Sequence, residues 1–291
     1  MADLKTLKLR IGSIKQTQKI TKAMKMVAAS KLRKAREAAE NARLYTETLA
    51  DIISSQATEN NANNNERSLI YGTKNAKKIL LLVNSSDRGL CGGLNTNIVK
   101  FVKQTIAKYE QENLEVKLLL IGKKANDQLK TQFKDYIHEY QLGFSSKAIT
   151  YADATELSDK IIKLFTEEQI DICKIIYPYF SSAIEQEPKE IDLIPVNVKE
   201  SGSTEESLDF EYEPSKELLL DEIIPKNITT QIFQSLLETY ASEQGSRMTA
   251  MDNAVNNCAE LIKKLNLQYN RTRQAKITTE LVEIISAAES I

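Results

Sequence analysis

The chain has 291 residues, enough for about two domains with a sizeable buried core. Because His138 is the only histidine, zinc sites and Ser–His or Cys–His catalysis have almost no residues to use. The three cysteines are widely spaced and form no CxxC motif, so we expect reduced thiols. No apolar run reaches the ~18 residues that a membrane span needs.

Positive charge is concentrated at the N-terminus, although the formal net charge is only −1. Residues 1–36 contain eleven lysines and arginines and one acidic residue, whereas residues 200–222 are acidic. Charge blocks of this kind indicate contact surfaces. The basic segment could bind nucleic acid or an anionic membrane surface, or form a merely solvated face. Its charges surround the helix, however, which favours an acidic collar around it.

Residues 3–57 are predicted to form one long helix. Its seam positions follow one another at spacings of three and four without a slip, and the segment contains no proline. A helix of this length spans roughly 80 Å, and its 3.5-residue period predicts a left-handed supercoil with a partner helix. The seam consists of Leu4, Leu7, Ile11, Ile14, Gln18, Thr21, Lys25, Ala28, Leu32, Ala35, Ala39, Ala42, Thr46, Leu49 and Ile53.

Residues 226–291 are predicted to form a second long helix of roughly 99 Å, since they contain no proline and a single glycine, Gly245. A first heptad stripe runs from Leu237 to Tyr269. A second apolar stripe starts eight residues later, at Ile277, and therefore lies on a rotated face. We expect a paired shaft followed by a tip that contacts another protein.

Between these helices, short apolar strands alternate with helical segments, which indicates an α/β domain with a largely parallel sheet. Strands are predicted at 78–83, 116–121, 136–141, 170–177 and 191–196, and helices at 96–110 and 152–168. The predicted regions are an N-terminal helix at 1–57, an Asn-rich linker at 58–75, the α/β domain at 76–199, an acidic connector at 200–225 and a C-terminal helix at 226–291.

The predicted fold class is α+α/β: a long antiparallel coiled coil of N- and C-terminal helices with an inserted Rossmann-like α/β domain. If Ile53 and Leu237 begin the pairing, residues whose numbers sum to about 290 face each other. Any offset at the hinge would leave part of the C-terminal tip exposed.

A glycine-rich segment, Asp87–Gly93, is predicted between a strand and a helix, where phosphate-binding loops lie. It matches neither GxGxxG nor GxxxxGK(S/T), so a tight turn is favoured over nucleotide binding. Two alternatives stay open from the residues alone: a small nucleotide-binding enzyme, and a nucleic-acid-binding α/β protein with a basic helix. No pair of carboxylates or acid–histidine pair suggests a catalytic residue.

Several segments of the chain closely resemble the γ subunits of F-type ATP synthases. The most specific are QKITKAMKMVAASK at 18–31, SDRGLCGG at 86–93, and YNRTRQA at 269–275 followed by ITTELVEIISAA at 277–288. The same family is matched by the segment Ser242-Glu243-Gln244 and by Arg247 and Met248. The Asn-rich linker and the acidic connector are particular to this chain.

The resemblance implies a central rotor stalk of a proton-translocating ATP synthase, with no catalytic residue, metal or cofactor of its own. In this family the coiled coil turns inside a head of three α and three β subunits, and the β subunits hold the catalytic sites. The foot binds the ε subunit and the membrane c-ring. The chain would lie on the cytoplasmic side of a bacterial inner membrane, attached only through the c-ring, and would bind no nucleic acid.

The resemblance also implies three contact sites. The first faces the α3β3 collar and comprises Met24, Lys25, Arg273, Gln274, Leu281, Ile284 and Ile285. The second contacts the lower lobes of the β subunits and comprises Asp87, Arg88 and Gly89. The third contacts the ε subunit and the c-ring and comprises Phe210, Tyr212 and Glu213.

Overall fold

A computed structural model describes residues 4–56, 67–73, 76–143, 149–196 and 216–289. Two long helices, α1 (Leu4–Gln56) and α5 (Lys216–Glu289), lie at the two ends of the described chain. The chain divides into two compact units, and each long helix contributes to both. We call residues 1–29 with 247–291 the helical pair, and residues 30–246 the sheet unit.

The sheet unit is built on five strands in one sheet. They are β3 (Lys78–Asn84), β4 (Glu115–Ile121), β5 (Ile137–Gln141), β6 (Ile172–Phe180) and β7 (Gln186–Ile194). Their order is β5–β4–β3–β6–β7; the first four are parallel, and β7 pairs antiparallel with β6. The central strands are buried on both faces, which explains their continuous aliphatic sequences.

Helices cover both faces of this sheet. On one face lie α2 (Leu94–Gln111) and α3 (Lys123–Leu129), which pack on alternate residues of β3 such as Leu81 and Val83. On the other face lie α4 (Tyr151–Thr166), the first part of α5, and the end of α1 at Ile53. The predicted parallel α/β sheet between two terminal helices is therefore confirmed.

Local sequence explains how two of these elements begin. Thr150 and Asp153 form a reciprocal capping box at the start of α4, in which each side chain accepts the other residue's backbone N–H. Gly122 joins β4 to α3 with φ +97, and a Cβ built there would lie 2.2 Å from the Ser85 carbonyl oxygen. Only glycine fits that link.

Some predicted boundaries were wrong. Helix α5 begins at Lys216 rather than at 226, and Pro225 lies inside it. The proline suggested a helix end, but Ile224 and Ile228 on either side of it are buried against the sheet and keep the helix continuous. Strand β7 begins at Gln186 rather than at 191, because it forms a hairpin with β6.

Besides a 3₁₀ turn at Lys134–Tyr136, two short elements were absent from the prediction. A small hairpin of β1 (Arg67–Ser68) and β2 (Gly72–Thr73) lies within the predicted linker at 58–75. Helix α3 was missed because its seven residues are mostly polar and too few to show a helical period. Both elements depend on contacts that are distant in sequence, such as the Val196 N–H donating to the Leu69 carbonyl oxygen at 3.0 Å.

Candidate interaction surfaces

The helical pair is held together by a narrow apolar seam. Leu7, Ile11 and Leu265 form its buried cluster, and Ile14 and Tyr269 pack against them. The eight predicted seam positions that lie in the pair, from Leu4 to Ala28, are buried or half-buried. The seam is therefore where the heptad pattern placed it.

Two polar contacts fix the direction of the helices within the pair. The Gln18 side-chain amide donates to the Val255 carbonyl oxygen at 3.4 Å, and Lys25 Nζ lies 2.6 Å from Asp252 Oδ1. From the first contact to the second, the residue number rises on α1 and falls on α5, so the two helices are antiparallel. Their numbers sum to 273 and 277 rather than about 290. The predicted register was wrong because Ile53, its assumed starting point, packs into the sheet core instead.

The end of α5 is exposed as a consequence of this register. Tyr269 is the last α5 residue packed on the apolar cluster, whereas the helix continues to Glu289. Arg273 and Gln274 are both exposed. Leu281, Ile284 and Ile285 are 54%, 64% and 55% exposed. The end of α5 therefore presents several large aliphatic side chains to solvent.

Met24 and Lys25 lie on the flank of the seam rather than on the outer face. Both are half-buried, and the Lys25 ammonium is paired with Asp252. The outward positive charge of this part of α1 comes instead from neighbouring exposed residues, namely Lys5, Lys8, Arg10, Lys15, Lys19 and Lys22. Lys25, which the resemblance assigned to the collar, is therefore already paired within the chain.

In the glycine-rich turn, Asp87 is directed into the fold. Its Oδ1 accepts the N–H of Lys123 at 3.0 Å and the N–H of Gly143 at 2.7 Å. The carboxylate therefore ties the turn to the start of α3 and to the chain that follows β5. Arg88 and Leu90 are the exposed side chains of the turn.

Buried polar groups hold the rest of this turn. Asn95 bonds to both the hydroxyl and the backbone N–H of Ser86, and its Nδ2 lies 3.2 Å from the Cys91 sulfur. The Ser246 hydroxyl of α5 donates to the Cys91 carbonyl oxygen at 2.6 Å. Leu90 adopts a left-handed φ of +63 between these anchors. These contacts hold the segment in one conformation, as a tight turn, which is the structure that the sequence favoured.

The third predicted contact site, Phe210 with Tyr212 and Glu213, lies outside the described residues.

A buried carboxylate that sequence analysis missed joins three elements of the sheet unit. Glu238 is fully buried on α5, and its Oε1 accepts from Nη2 and Nε of Arg43 at 3.0 and 3.3 Å. The Arg43 guanidinium also lies 4.7 Å from the centre of the Tyr179 ring. Burial opposes the charge of Arg43, but the neighbouring Glu238 more than offsets it and the pKa of Arg43 is raised. The only sequence signal for this buried pair was that the acidic Glu238 directly follows two leucines, Leu236 and Leu237.

A second polar cluster lies on β6 and β7. Lys174 Nζ is 3.0 Å from Glu190 Oε1 and 2.8 Å from Asp192 Oδ1, and the Tyr109 hydroxyl donates to Glu190. Burial, together with that hydrogen bond, raises the pKa of Tyr109 to about 12. Burial acts to lower the pKa of Lys174, yet its hydrogen bonds to Asp192, Tyr109 and Glu190 raise it. The alternating charges of β7 gave no indication of this clustering.

Among the described residues, no helix is both long and apolar enough to cross a membrane. The same residues contain no group of three or more histidine, cysteine or acidic side chains placed to hold a metal ion. Cys91 and Cys173 are buried and form no disulfide, and burial raises the pKa of Cys173.

The chain matches known proteins along its whole length. The family profile described as ATP synthase matches residues 3–291. The ATP synthase gamma chain of Pelagibacter ubique is 47% identical over 291 residues, and that of Erythrobacter litoralis is 45% identical; each alignment covers 100% of both chains.

Solved structures show the same fold. The central stalk and c-ring structure of the Tetrahymena thermophila mitochondrial ATP synthase contains a chain that is 28% identical, with a TM-score of 0.61, covering 81% of this chain and 99% of that one. A chain in the Euglena gracilis mitochondrial ATP synthase assembly of OSCP, F1 and c-ring is 20% identical, with a TM-score of 0.67. That match covers 99% of this chain and 94% of the other.

Proposed function

This chain belongs to the family of ATP synthase gamma chains and is a central-stalk subunit, and we propose that it transmits rotation between a membrane c-ring and a catalytic α3β3 head. Its partners are then the α and β subunits, the ε subunit and the c-ring. The nucleic-acid-binding alternative has no support among the relatives. The single observation that carries the mechanical proposal is the antiparallel helical pair whose α5 helix continues as an exposed, partly apolar end.

The exposed end of α5 has the properties of a bearing surface. Aliphatic contacts are non-directional, so Leu281, Ile284 and Ile285 can slide past a ring of apolar residues without locking into it. Arg273 and Gln274 are exposed polar groups at the start of this end, and directional hydrogen bonds from them define preferred stopping angles. Each such bond to a charged partner contributes roughly 1.5–3 kcal/mol.

Beside the seam, Met24 faces the same collar, and the ring of exposed lysines around α1 centres the shaft in an acidic environment. Lys25 contributes by holding α1 to Asp252 rather than by contacting the head directly. The long-range attraction between the exposed lysines of α1 and the acidic collar weakens as salt is added, because exposed charges are screened.

At the glycine-rich turn, we propose that Arg88 and Gly89 contact the lower lobes of the β subunits while Asp87 fixes the shape of the turn. The two backbone hydrogen bonds to Asp87 and the exposure of Arg88 support this division. Phe210, Tyr212 and Glu213 remain proposed contacts with the ε subunit and the c-ring, from the family resemblance alone.

We propose that the chain performs no bond chemistry itself and binds no cofactor, since nucleotide hydrolysis and synthesis take place on the β subunits. The internal hydrogen bonds of the glycine-rich turn support this proposal, because its polar groups are used within the fold. The complex is membrane-associated in this family. We place it at the inner membrane of a bacterium, with this chain on the cytoplasmic side and attached through the proton-conducting c-ring.

Reconstitution with purified α and β subunits tests the proposal. We expect ATPase activity that requires this chain; the same activity with and without the chain would contradict a stalk function. Replacing Arg273 and Gln274 together with alanine is expected to lower turnover by at least about tenfold, the equivalent of one charged hydrogen bond. Deleting residues 282–291 is expected to lower it less.

A matched control keeps that experiment specific. Arg271 is an exposed arginine two residues before Arg273, so Arg271→Ala removes a similar charge from a different side of the helix. We expect its turnover to stay close to that of the wild type. A near-complete loss on deleting the last ten residues would contradict the sliding-bearing proposal.

A further inference from the structure

The Glu238 carboxylate is a junction between α1, α5 and β6. Its Oε1 accepts from Arg43 of α1 and from the Gln234 side-chain amide of α5 at 3.0 Å, and its Oε2 accepts the backbone N–H of Phe180 of β6 at 3.4 Å. The Glu238 side chain is inaccessible to solvent, whereas the Arg43 side chain is 29% exposed. A single buried charge therefore contacts all three elements that meet at this point.

The apolar packing around this point combines buried alanines of the two helices with larger side chains, namely Phe180, Leu32 and Tyr240. Ala35 of α1 and Ala241 of α5 belong to one buried cluster with Phe180, and Ala39 of α1 is also buried. Apolar contacts of this kind hold two helices close together, but they are non-directional and resist small sliding or turning movements less than hydrogen bonds do. The charged hydrogen bonds of Glu238, to Arg43 of α1 and to the Phe180 N–H of β6, do resist both movements, because their strength depends on distance and angle.

A buried ion pair is weak evidence for stability. Removing two charges from water costs several kcal/mol, so replacing such a pair with apolar residues of similar volume is often neutral or stabilising. The best-attested use of buried polar pairs is to fix the register of packed helices. The position of Arg43 and Glu238 among alanines fits that use.

We propose that Arg43 and Glu238 fix the rotational and axial position of α1 against α5 and β6, so that turning force applied to the sheet unit also turns α1. This inference rests on the proposed function, in which force from the c-ring enters through the sheet unit and the segment before α5. Helix α1 receives that force only through its packing contacts and the chain that follows Gln56. Arg43 and Glu238 are positioning residues: they contact neither nucleotide nor substrate.

The test separates register from stability by removing both charges together. In membrane vesicles that carry the complete ATP synthase, we would measure ATP hydrolysis and ATP-driven proton uptake for wild type and for Arg43→Met/Glu238→Leu. We expect the double variant to assemble and to keep at least about half of the hydrolysis rate, because the apolar pair fills the same space. The protons pumped per ATP hydrolysed should fall about threefold or more as α1 slips against its neighbours.

The chain supplies a matched control on the same helix. Arg36 and Glu40 form an exposed ion pair at 2.7 Å within α1, so Arg36→Met/Glu40→Leu makes the same chemical change without touching another element. We expect its ratio of protons to ATP to equal that of the wild type. A similar loss in this control and in the buried double variant would overturn the proposal.

A conservative variant keeps the proposal testable if the double variant fails to fold. Arg43→Lys retains the positive charge but lacks the planar guanidinium that places two nitrogens on Glu238 Oε1. We expect an unchanged amount of assembled complex and a smaller, measurable fall in protons pumped per ATP. The positioning role would be overturned if the number of protons pumped per ATP stayed at the wild-type value in Arg43→Lys and in any double variant that assembles. It would also be overturned if hydrolysis and pumping fell only in proportion to the amount of assembled complex. Failure of the wild-type chain to support pumping at all would instead contradict the proposed stalk function.

Discussion

The two units of this protein are stabilised in different ways. The sheet unit buries two large apolar clusters, one on each face of the sheet, and its central strands are inaccessible to solvent. The helical pair buries one small cluster around Leu7, Ile11 and Leu265, and most of its other side chains are exposed or half-buried. The sheet unit can therefore be stable through its own core, whereas the helical pair depends on continuous helices and, in our proposal, on the subunits around it.

The largest expected difference between the units concerns a matched pair of leucines. Leu119 is fully buried in β4, and Leu265 is 8% exposed in the helical pair. We expect Leu119→Ala to lower the free energy of unfolding by about 3–5 kcal/mol, and Leu265→Ala to lower it by only about 1–2 kcal/mol, because fewer atoms surround Leu265. Urea denaturation followed by circular dichroism measures both. Equal losses would show that the helical pair has a core as tightly packed as the sheet.

Two helical glycines offer the next comparison, with opposite expected signs. A Cβ at Gly245 would lie 3.2 Å from the Phe180 ring and 3.3 Å from the Ala183 Cα, whereas nothing lies within 4 Å of a Cβ at Gly12. We expect Gly245→Ala to destabilise the chain by about 1–3 kcal/mol through crowding. Gly12→Ala should stabilise it by about 0.5–1 kcal/mol through helix propensity. Thermal unfolding of the two variants checks the signs, and a stabilising Gly245→Ala would mean that the β6–β7 hairpin yields easily.

A smaller effect is expected from the buried hydroxyl of Tyr109, which titrates in alkaline solution. The pKa of this hydroxyl is raised from 10 to about 12 in the folded chain. Its contribution to the free energy of unfolding is therefore present below pH 10 and is lost as the pH rises toward 12. We expect that contribution to be no more than about 2 kcal/mol, since water screens part of the network. The difference in unfolding free energy between wild type and Tyr109→Phe should shrink between pH 10 and 12. A difference that stays constant over this range would contradict the assigned pKa.

The smallest expected effect belongs to the ion pair of the helical pair. Lys25 and Asp252 have side chains that are 39% and 45% exposed, so their attraction is weakened by water. We expect Asp252→Asn to cost about 0.2–1 kcal/mol at low salt and almost nothing in 1 M NaCl, where the Debye length is about 3 Å. Urea denaturation at both salt concentrations measures this cost. A loss that does not depend on salt would indicate a role for Asp252 beyond this pair.

The elements with a strong repeating pattern could be predicted from the sequence. The heptads of α1 and the aliphatic runs of β3 and β4 carry their own signal over many residues, so the helix and the parallel strands followed directly. The glycine-rich segment forms a turn between a strand and a helix, as its spacing predicted. The family resemblance then identified the chain as a gamma subunit.

The features that were missed depend on contacts between residues far apart in the chain. The start of α5 at Lys216 depends on packing against the sheet around Pro225, and the pairing register depends on where Ile53 lies. The junction at Glu238 requires Arg43, which is 195 residues away. Local periodicity contains none of this information. The contact residues proposed for the partner subunits come from the resemblance and remain predictions.

The offset between the two long helices has a consequence for how this chain can vary in length. One residue inserted between Met251 and Leu265 would rotate everything after it by about 100° and move the seam away from α1. The same insertion after Tyr269 would leave the apolar cluster of the pair in place, because the side chains described from 270 to 288, apart from half-buried Thr272, are exposed. Insertions and deletions should therefore be tolerated by the fold after Tyr269 and not between Met251 and Leu265. Selection on the length of that end can then act on its fit to a partner alone.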